Sequence, residues 1–280
     1  MRVANLDGRL AVVREDIAVD VELASGRLFG PDPQAIYDRW AAFRAWALSL
    51  DSDAPWAPFD ARLLRSPAPR PRQVFAIGLN YGEHAAESGF ARPGTPPVFT
   101  KFPTCITGPY GEISLPAGGH TDWEVELVTV IGPGGFKIDA ASAWSHVAGL
   151  AVGQDLSERI LQMASPSPQF SLGKSYPGFG PIGPWLVTVD EFDDPDDMEL
   201  GCFVNGEEVQ KGRTSELLFP VPALLERLSH VTPLLSGDVI FTGTPSGVGM
   251  ARSPQRFLAP GDELVSYVEG IGELRHRLTG

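Results

Sequence analysis

A strand and an acidic site are both indicated by one stretch, Asp122-Trp123-Glu124-Val125-Glu126-Leu127-Val128-Thr129-Val130-Ile131. Its apolar and β-branched residues predict a long strand from Trp123 to Ile131 that enters the core. Side chains of a strand alternate between its faces, so Glu124 and Glu126 are expected on one face. A cation such as Mg²⁺, Mn²⁺ or Ca²⁺ between the two carboxylates would relieve their repulsion. Spacing alone also allows a solvated acidic edge at a strand end.

A third acid, Asp155, follows the apolar run Val147 to Gly153, so we expect it where a buried strand ends and a helix over Leu156 to Ala164 begins. Arg159 and Gln162 would share a helical face with it. An acid, a guanidinium and an amide would then converge, which suits a metal-bound carboxylate substrate. The alternatives are a helix N-cap for Asp155 and a surface pair with Arg159.

Two further motifs carry titratable groups. His84 and Glu87 lie three residues apart on a predicted helix over Gly82 to Ser88, within reach of a hydrogen bond that would orient a general base. A simple surface pair is the alternative. Lys174 follows Gly173 as in a phosphate loop, but Pro168 stands where that motif needs its first glycine. The segment around Thr244 likewise lacks the leading glycine of a serine-nucleophile elbow.

The composition favours a β-rich protein and excludes some partners. The 31 glycines and 26 prolines indicate many turns and short strands. A formal net charge of -13 disfavours nucleic acid and anionic membranes. Cys105 and Cys202 are expected to be reduced core residues. No run of 18 apolar residues occurs and the N-terminus becomes polar early, so we expect no membrane span and a cytoplasmic location.

The predicted organisation is a small N-terminal domain, residues 1–68, followed by a catalytic domain, residues 69–280. The proline-rich segment 66–71 marks the boundary. In the first unit, strands are expected at 10–13 and 17–21, and a helix from Pro33 carries an apolar packing stripe. In the second, strands are expected at 73–78 and 261–270. Asn205-Gly206 predicts a hairpin turn between strands within 199–210.

The order of these motifs resembles the fumarylacetoacetate hydrolase family over roughly residues 73 to 275. The matching stretches are Gly78-Leu79-Asn80-Tyr81 with His84 and Glu87, Pro97 to Lys101, Asp122 to Gly132, Gly153 to Arg159, Gly173-Lys174-Ser175 with Gly183-Pro184-Trp185, Val204-Asn205-Gly206, and Gly237 to Gly249 with Pro260-Gly261-Asp262. Many members continue Arg159 with aspartate, whereas this chain has Ile160.

The resemblance implies an α+β, β-rich fold built on a mixed β-sheet roll, with a smaller N-terminal α+β domain, and a homodimer. It implies metal ligation by Glu124, Glu126 and Asp155, and a catalytic dyad of His84 and Glu87 on a mobile lid. It further implies a substrate-facing Lys174 and substrate contacts from Arg159, Gln162 and Thr244. Tyr176 and Phe179 are suggested as pocket walls.

The expected activity is Mg²⁺- or Mn²⁺-dependent hydrolysis of a carbon-carbon bond in a small 2,4-dioxo acid of the acylpyruvate type, with Ca²⁺ as an ion that a crystal could hold. A decarboxylase, isomerase or dehydratase acting on a 2-oxo acid such as oxaloacetate or a 2-keto-3-deoxy sugar acid is the first alternative. A non-catalytic metabolite-binding homologue is the second.

Overall fold

The computed structural model describes residues 1–89 and 91–280. Its helices are short, and in chain order they are α1 (Val21–Ala24), α2 (Trp40–Leu48), α3 (Gly82–Glu87), α4 (Arg159–Gln162), α5 (Phe170–Gly173) and α6 (Val221–Ser229). None of the helices formed by these residues has the length and apolarity needed to cross a lipid bilayer.

Strands make up more of the described chain than helices do. In chain order they are β1 (Arg2–Leu6), β2 (Arg9–Arg14), β3 (Ile17–Asp20), β4 (Ala57–Pro58), β5 (Leu64–Arg65), β6 (Val74–Ile77), β7 (Val98–Thr100), β8 (Ile106–Thr107), β9 (Tyr110–Ser114), β10 (Thr121–Asp122), β11 (Val125–Ile131), β12 (Val147–Gln154), β13 (Ser157–Glu158), β14 (Gly180–Val187), β15 (Glu199–Val204), β16 (Glu207–Arg213), β17 (Val239–Phe241), β18 (Glu263–Val268) and β19 (Gly272–Thr279). The predicted β-rich α+β class is confirmed.

The strands form two main mixed sheets that enclose the core. The larger sheet has twelve strands, with the order β4-β3-β2-β1-β14-β12-β11-β17-β6-β7 and with β5 and β8 paired at its side. The smaller sheet has the order β16-β15-β18-β19-β9. The central strands β11 and β12 are buried along their whole length, which explains their continuous apolar sequences.

The N-terminal residues add strands to the larger sheet. Antiparallel pairing joins β1 to β14, with Arg2 opposite Val187, so the first three strands extend the sheet that contains β11 and β12. The predicted packing stripe is confirmed, because Ile36, Trp40, Phe43 and Ala47 are all buried. The division at residues 68 and 69 stays a prediction.

The hairpin at Asn205-Gly206 is confirmed. Asn205 and Gly206 both have positive φ angles, 54° and 81°, between β15 and β16. Positive φ at both central positions is what a tight hairpin turn with the right-handed twist of its strands requires, and Asn-Gly adopts it readily.

Two predictions near the acidic stretch need correction. The strand expected from Trp123 begins at Val125, and Trp123 and Glu124 lie between β10 and β11 because Asp122 already pairs with Ser157 of β13. The helix expected from Leu156 begins only at Arg159, and its N-cap is Glu158, whose carboxylate accepts from the backbone N–H groups of Ile160 and Leu161. Asp155 therefore neither caps nor belongs to that helix.

Candidate active site

Three acidic side chains meet at the end of the central strand pair. One carboxylate oxygen from each of Glu124, Glu126 and Asp155 lies within 4.8 Å of the others, and all three residues are buried. The pairing of β11 with β12 brings them together, since Val125 lies opposite Gln154. The backbone N–H of Asp155 also donates to the carbonyl of Glu124 at 2.9 Å. A buried set of hard oxygen donors fits a divalent cation such as Mg²⁺ or Mn²⁺.

Buried cations partly compensate these acids. Nζ of Lys174 lies 2.7 Å from Oε2 of Glu124 and 2.7 Å from Oδ2 of Asp155. Burial raises the pKa of Glu124, but the charges of Lys174 and Arg159 outweigh it and bring that pKa down to about 2. For Glu126, burial and the charges of Asp155 and Glu124 raise the pKa well above its usual value. Glu126 is thus the triad acid whose negative charge is least compensated by the surrounding cations.

Lys101 is a functional candidate that the sequence analysis did not single out. It is fully buried, and its Nζ lies 2.6 Å from Oδ1 of Asp155 and donates to the carbonyl oxygen of Lys174. A buried lysine is rare unless it is paired. A signal was present, since Lys101 ends the matching stretch that begins at Pro97. Lys101 links a triad acid to the backbone that carries Lys174.

The sequence analysis assigned no role to Asp122, but in the structure this residue anchors Arg159. Its Oδ2 accepts from Nε and Nη2 of Arg159 at 3.0 and 2.8 Å. Its carboxylate also accepts from the backbone N–H groups of Gly249 and Met250 at 2.7 and 2.9 Å. Nη1 of Arg159 donates to Oε1 of Gln162 at 2.9 Å, so the guanidinium is held from two sides.

The histidine and glutamate of α3 form the expected contact. Nδ1 of His84 lies 2.9 Å from Oε1 of Glu87, and since a carboxylate can only accept, the ring proton sits on Nδ1 and Nε2 is the basic nitrogen. His84 is only 7% exposed and lines the cleft that contains Glu124. This arrangement matches an oriented general base, and the catalytic role itself stays a prediction.

A glycine loop on the far side of Glu87 completes its hydrogen bonding. The backbone N–H of Gly247 donates to Oε2 and Oε1 of Glu87 at 2.9 and 3.1 Å. Gly247 has a φ of +108°, and a Cβ at this position would lie 2.2 Å from the carbonyl oxygen of Val209. Any other residue would therefore displace the backbone that holds Glu87.

The remaining predicted substrate contacts differ in their placement. Thr244 lines the cleft, and its Oγ1 donates to the carbonyl of Val125 at 2.8 Å. Gln162 also lines the cleft. Tyr176 packs against Phe179, with ring centroids 5.2 Å apart, next to the main core, and neither ring is among the described residues that line the cleft. Their role as pocket walls therefore gains no support from the geometry.

The lining of the cleft combines polar and apolar residues. The polar ones include Glu124, Arg159, Lys174 and His84. The apolar ones are Ile77, Leu79, Phe99, Met163, Phe170 and Met250. A small molecule with an anionic, metal-chelating end and a less polar tail would match this lining.

Comparison with known proteins places the whole arrangement in one family. The sequence model of the protein family described as fumarylacetoacetate (FAA) hydrolase C-terminal matches residues 73–279 of this chain. The human protein named oxaloacetate tautomerase FAHD2A, mitochondrial, is 40% identical over 231 residues, covering 82% of this chain and 74% of that protein.

Solved structures agree with this match over the full chain. A crystal structure of a Mycobacterium smegmatis protein has 58% identity and a TM-score of 0.94, covering 100% of this chain and 99% of that chain. The maleylpyruvate hydrolase from Sphingobium sp. SYK-6, in complex with manganese(II) ion and pyruvate, has 28% identity and a TM-score of 0.82, with the same two coverages. Sequence, fold and site agree, and the chain belongs to the fumarylacetoacetate hydrolase family.

Proposed function

We propose that this protein is a divalent-metal-dependent enzyme that hydrolyses a carbon-carbon bond in a small 2,4-dioxo acid of the acylpyruvate type. One observation carries the proposal: the buried acidic triad and the His84–Glu87 pair belong to the same cleft, since Glu124 and His84 both line it. Hydrolysis needs both parts, namely a site that grips the 2-oxo acid and a base that activates water.

Glu124, Glu126 and Asp155 would hold the metal, either Mg²⁺ or Mn²⁺. When bound, the metal supplies Lewis acidity and a template for the carboxylate and 2-oxo oxygens of the substrate. The charge balance supports one divalent ion. Around the triad, four buried carboxylates (including Asp122) face the three cations Lys101, Arg159 and Lys174. One divalent ion turns this net negative charge into a net positive one, which a single substrate carboxylate then cancels.

His84 carries out the proton transfer. Its Nε2 takes a proton from a water whose oxygen adds to the distal carbonyl carbon of the substrate, while Glu87 keeps the ring oriented through Nδ1. The bond between that carbon and the neighbouring methylene then breaks. The acyl group leaves as a carboxylic acid, and the methylene carbon receives a proton to give pyruvate. Lys174 is the chain's own cation beside the developing negative charge.

Tautomerisation of oxaloacetate is the second candidate, because the human relative with 40% identity carries that name. The same His84 would then move a proton to or from the carbon next to the 2-oxo group, and no water would be consumed. The two reactions share the metal and the base, and they differ in whether a carbon-carbon bond breaks.

A turnover panel distinguishes these activities. Acetylpyruvate and longer acylpyruvates are expected to lose their enolic ultraviolet absorbance and release pyruvate in the presence of Mg²⁺ or Mn²⁺. EDTA should abolish the reaction, and renewed metal should restore it. Conversion of enol to keto oxaloacetate is followed in parallel by absorbance. Metal-loaded protein that releases no pyruvate from any acylpyruvate would contradict the proposed hydrolysis.

The metal site makes a separate prediction about stability. Glu126→Gln keeps an acceptor for the backbone N–H of Gly243, which donates to Oε2 of Glu126 at 2.7 Å, but removes a charge from the acidic cluster. We expect the metal-free variant to unfold at the same or a higher temperature than the wild type, because like charges no longer repel. Metal at 100 times its Kd should stabilise the wild type by about 2.7 kcal/mol and the variant by much less.

Thermal unfolding with and without Mn²⁺ measures both effects. The exposed Glu112 provides the matched control, since Glu112→Gln removes the same charge at the surface of β9, outside the acidic triad. An equal Mn²⁺-induced shift in all three proteins would remove Glu126 from the ligand set.

A further inference from the structure

The apolar lining of the cleft is built from separate parts of the fold. Ile77 ends β6, Phe99 lies in β7, and Phe170 begins α5. The rings of Phe99 and Phe170 meet edge to face with centroids 5.5 Å apart, and Nζ of Lys174 lies 5.2 Å from the Phe99 centroid. The aromatic pair therefore lies beside Lys174, next to the place where the 2-oxo acid would bind.

The cations of the cleft are already engaged by acidic side chains. Among the cleft-lining residues in the described part of the chain, the permanent cations are Arg159 and Lys174, and both are paired with buried acids. Arg92 lies beside Gly82 but lines a different pocket, which it shares with Glu83 and Lys211. Among the described residues, the apolar lining thus offers no unengaged permanent cation to a charged substrate tail.

We infer that the substrate of this site carries no charge at the end remote from its 2-oxo acid group, so that an alkyl or aryl acyl group is preferred to a second carboxylate. The inference rests on the proposed function for the orientation of the substrate, with the metal-chelating end at the triad. A carboxylate packed against Phe99 and Phe170 would lose part of its hydration without gaining an ion-pair partner. A methyl group in the same place would gain from leaving water.

Binding of two probes of equal chain length tests the inference. 2-Oxopentanoate ends in a methyl group where 2-oxoglutarate ends in a carboxylate, and their metal-chelating ends are identical. Calorimetric titration of Mn²⁺-saturated protein should give a Kd for 2-oxopentanoate that is lower by about tenfold or more. An equal or lower Kd for 2-oxoglutarate would overturn the inference.

Two variants, one within α4 and one at its C-terminal end, test where in the structure the preference between the two probes arises. Met163 is 45% exposed and lines the cleft, whereas Leu161, 39% exposed, is absent from the cleft lining. Met163→Lys places a cation at the cleft, and it should shift the ratio of the two Kd values by about tenfold toward 2-oxoglutarate. Leu161→Lys adds the same charge nearby and should leave the ratio unchanged. An equal shift in both variants, or no shift in Met163→Lys, would contradict this assignment of the cleft.

The result is separable from the proposed hydrolysis because neither probe has a 2,4-dioxo group to cleave. If acylpyruvates are not cleaved but 2-oxopentanoate still binds more tightly, the proposed hydrolysis fails and the inference stands. If acylpyruvates are cleaved but 2-oxoglutarate binds as tightly as 2-oxopentanoate, the inference fails and the hydrolysis stands.

Discussion

Alanine at position 84 is expected to lower the turnover of acylpyruvates by about 10²- to 10⁴-fold, the usual contribution of a positioned general base. Because Nδ1 of His84 is held by Glu87, Nε2 is the nitrogen that the proposed mechanism uses as the base. Since the ring is not one of the three triad ligands, the affinity for Mn²⁺ should change little. Steady-state kinetics and a Mn²⁺ titration measure the two quantities on the same preparation.

A variant on the same helix provides the control. Glu83 is exposed, and its carboxylate contacts Oγ of Ser246 at 3.2 Å outside the cleft. Glu83→Gln should therefore keep most of the turnover. Glu87→Gln should fall between the two, because an amide oxygen can still accept from Nδ1 but carries no charge to stabilise a protonated ring. Turnover of His84→Ala at the wild-type rate, with metal bound, would remove His84 from the mechanism.

Replacing Lys101 by methionine should destabilise the protein strongly. The substitution leaves Oδ1 of Asp155 and the carbonyl of Lys174 without their buried donor. Breaking a buried ion pair by removing one partner costs about 3–5 kcal/mol, and we expect about 3 kcal/mol because Lys174 still pairs with Asp155. For a chain of this size that corresponds to roughly 6–12 °C in Tm.

Lys211→Met is the matched control, since Lys211 is about half exposed and pairs with Glu199 at the surface. Its free energy of unfolding should change by about 0–1 kcal/mol. A double variant, Lys101→Met with Asp155→Asn, should recover part of the lost stability because the buried cluster returns to the net charge it has in the wild type. A Lys101→Met protein with the Tm of the wild type would show that the buried pair contributes nothing to stability.

Local patterns predicted the parts of the fold that depend on local physics. The Asn205-Gly206 turn requires two positive φ angles, and few other dipeptides supply them. The contact between His84 and Glu87 follows from their spacing on one helical turn. The burial of β12 follows from its unbroken apolar run.

Other features depend on contacts between distant segments and could not be predicted from the local sequence. The strand that carries Glu126 begins two residues later than expected, and Asp122 before it pairs across to Ser157. The helix after Asp155 likewise begins only at Arg159. Lys101 lies 54 residues from its partner Asp155, so its pairing has no local spacing rule. The two-domain division, the homodimer and the cytoplasmic location stay predictions.

Gly247 has no side chain, but its hydrogen bond to Glu87 lets it control the orientation of the proposed base. His84 depends on Glu87, and Glu87 depends on a backbone amide that only glycine can present at this φ. A substitution at Gly247 would resemble a harmless change in a surface turn when judged by sequence position. Its effect would instead be inactivation at a distance, through an imidazole that has lost its orientation.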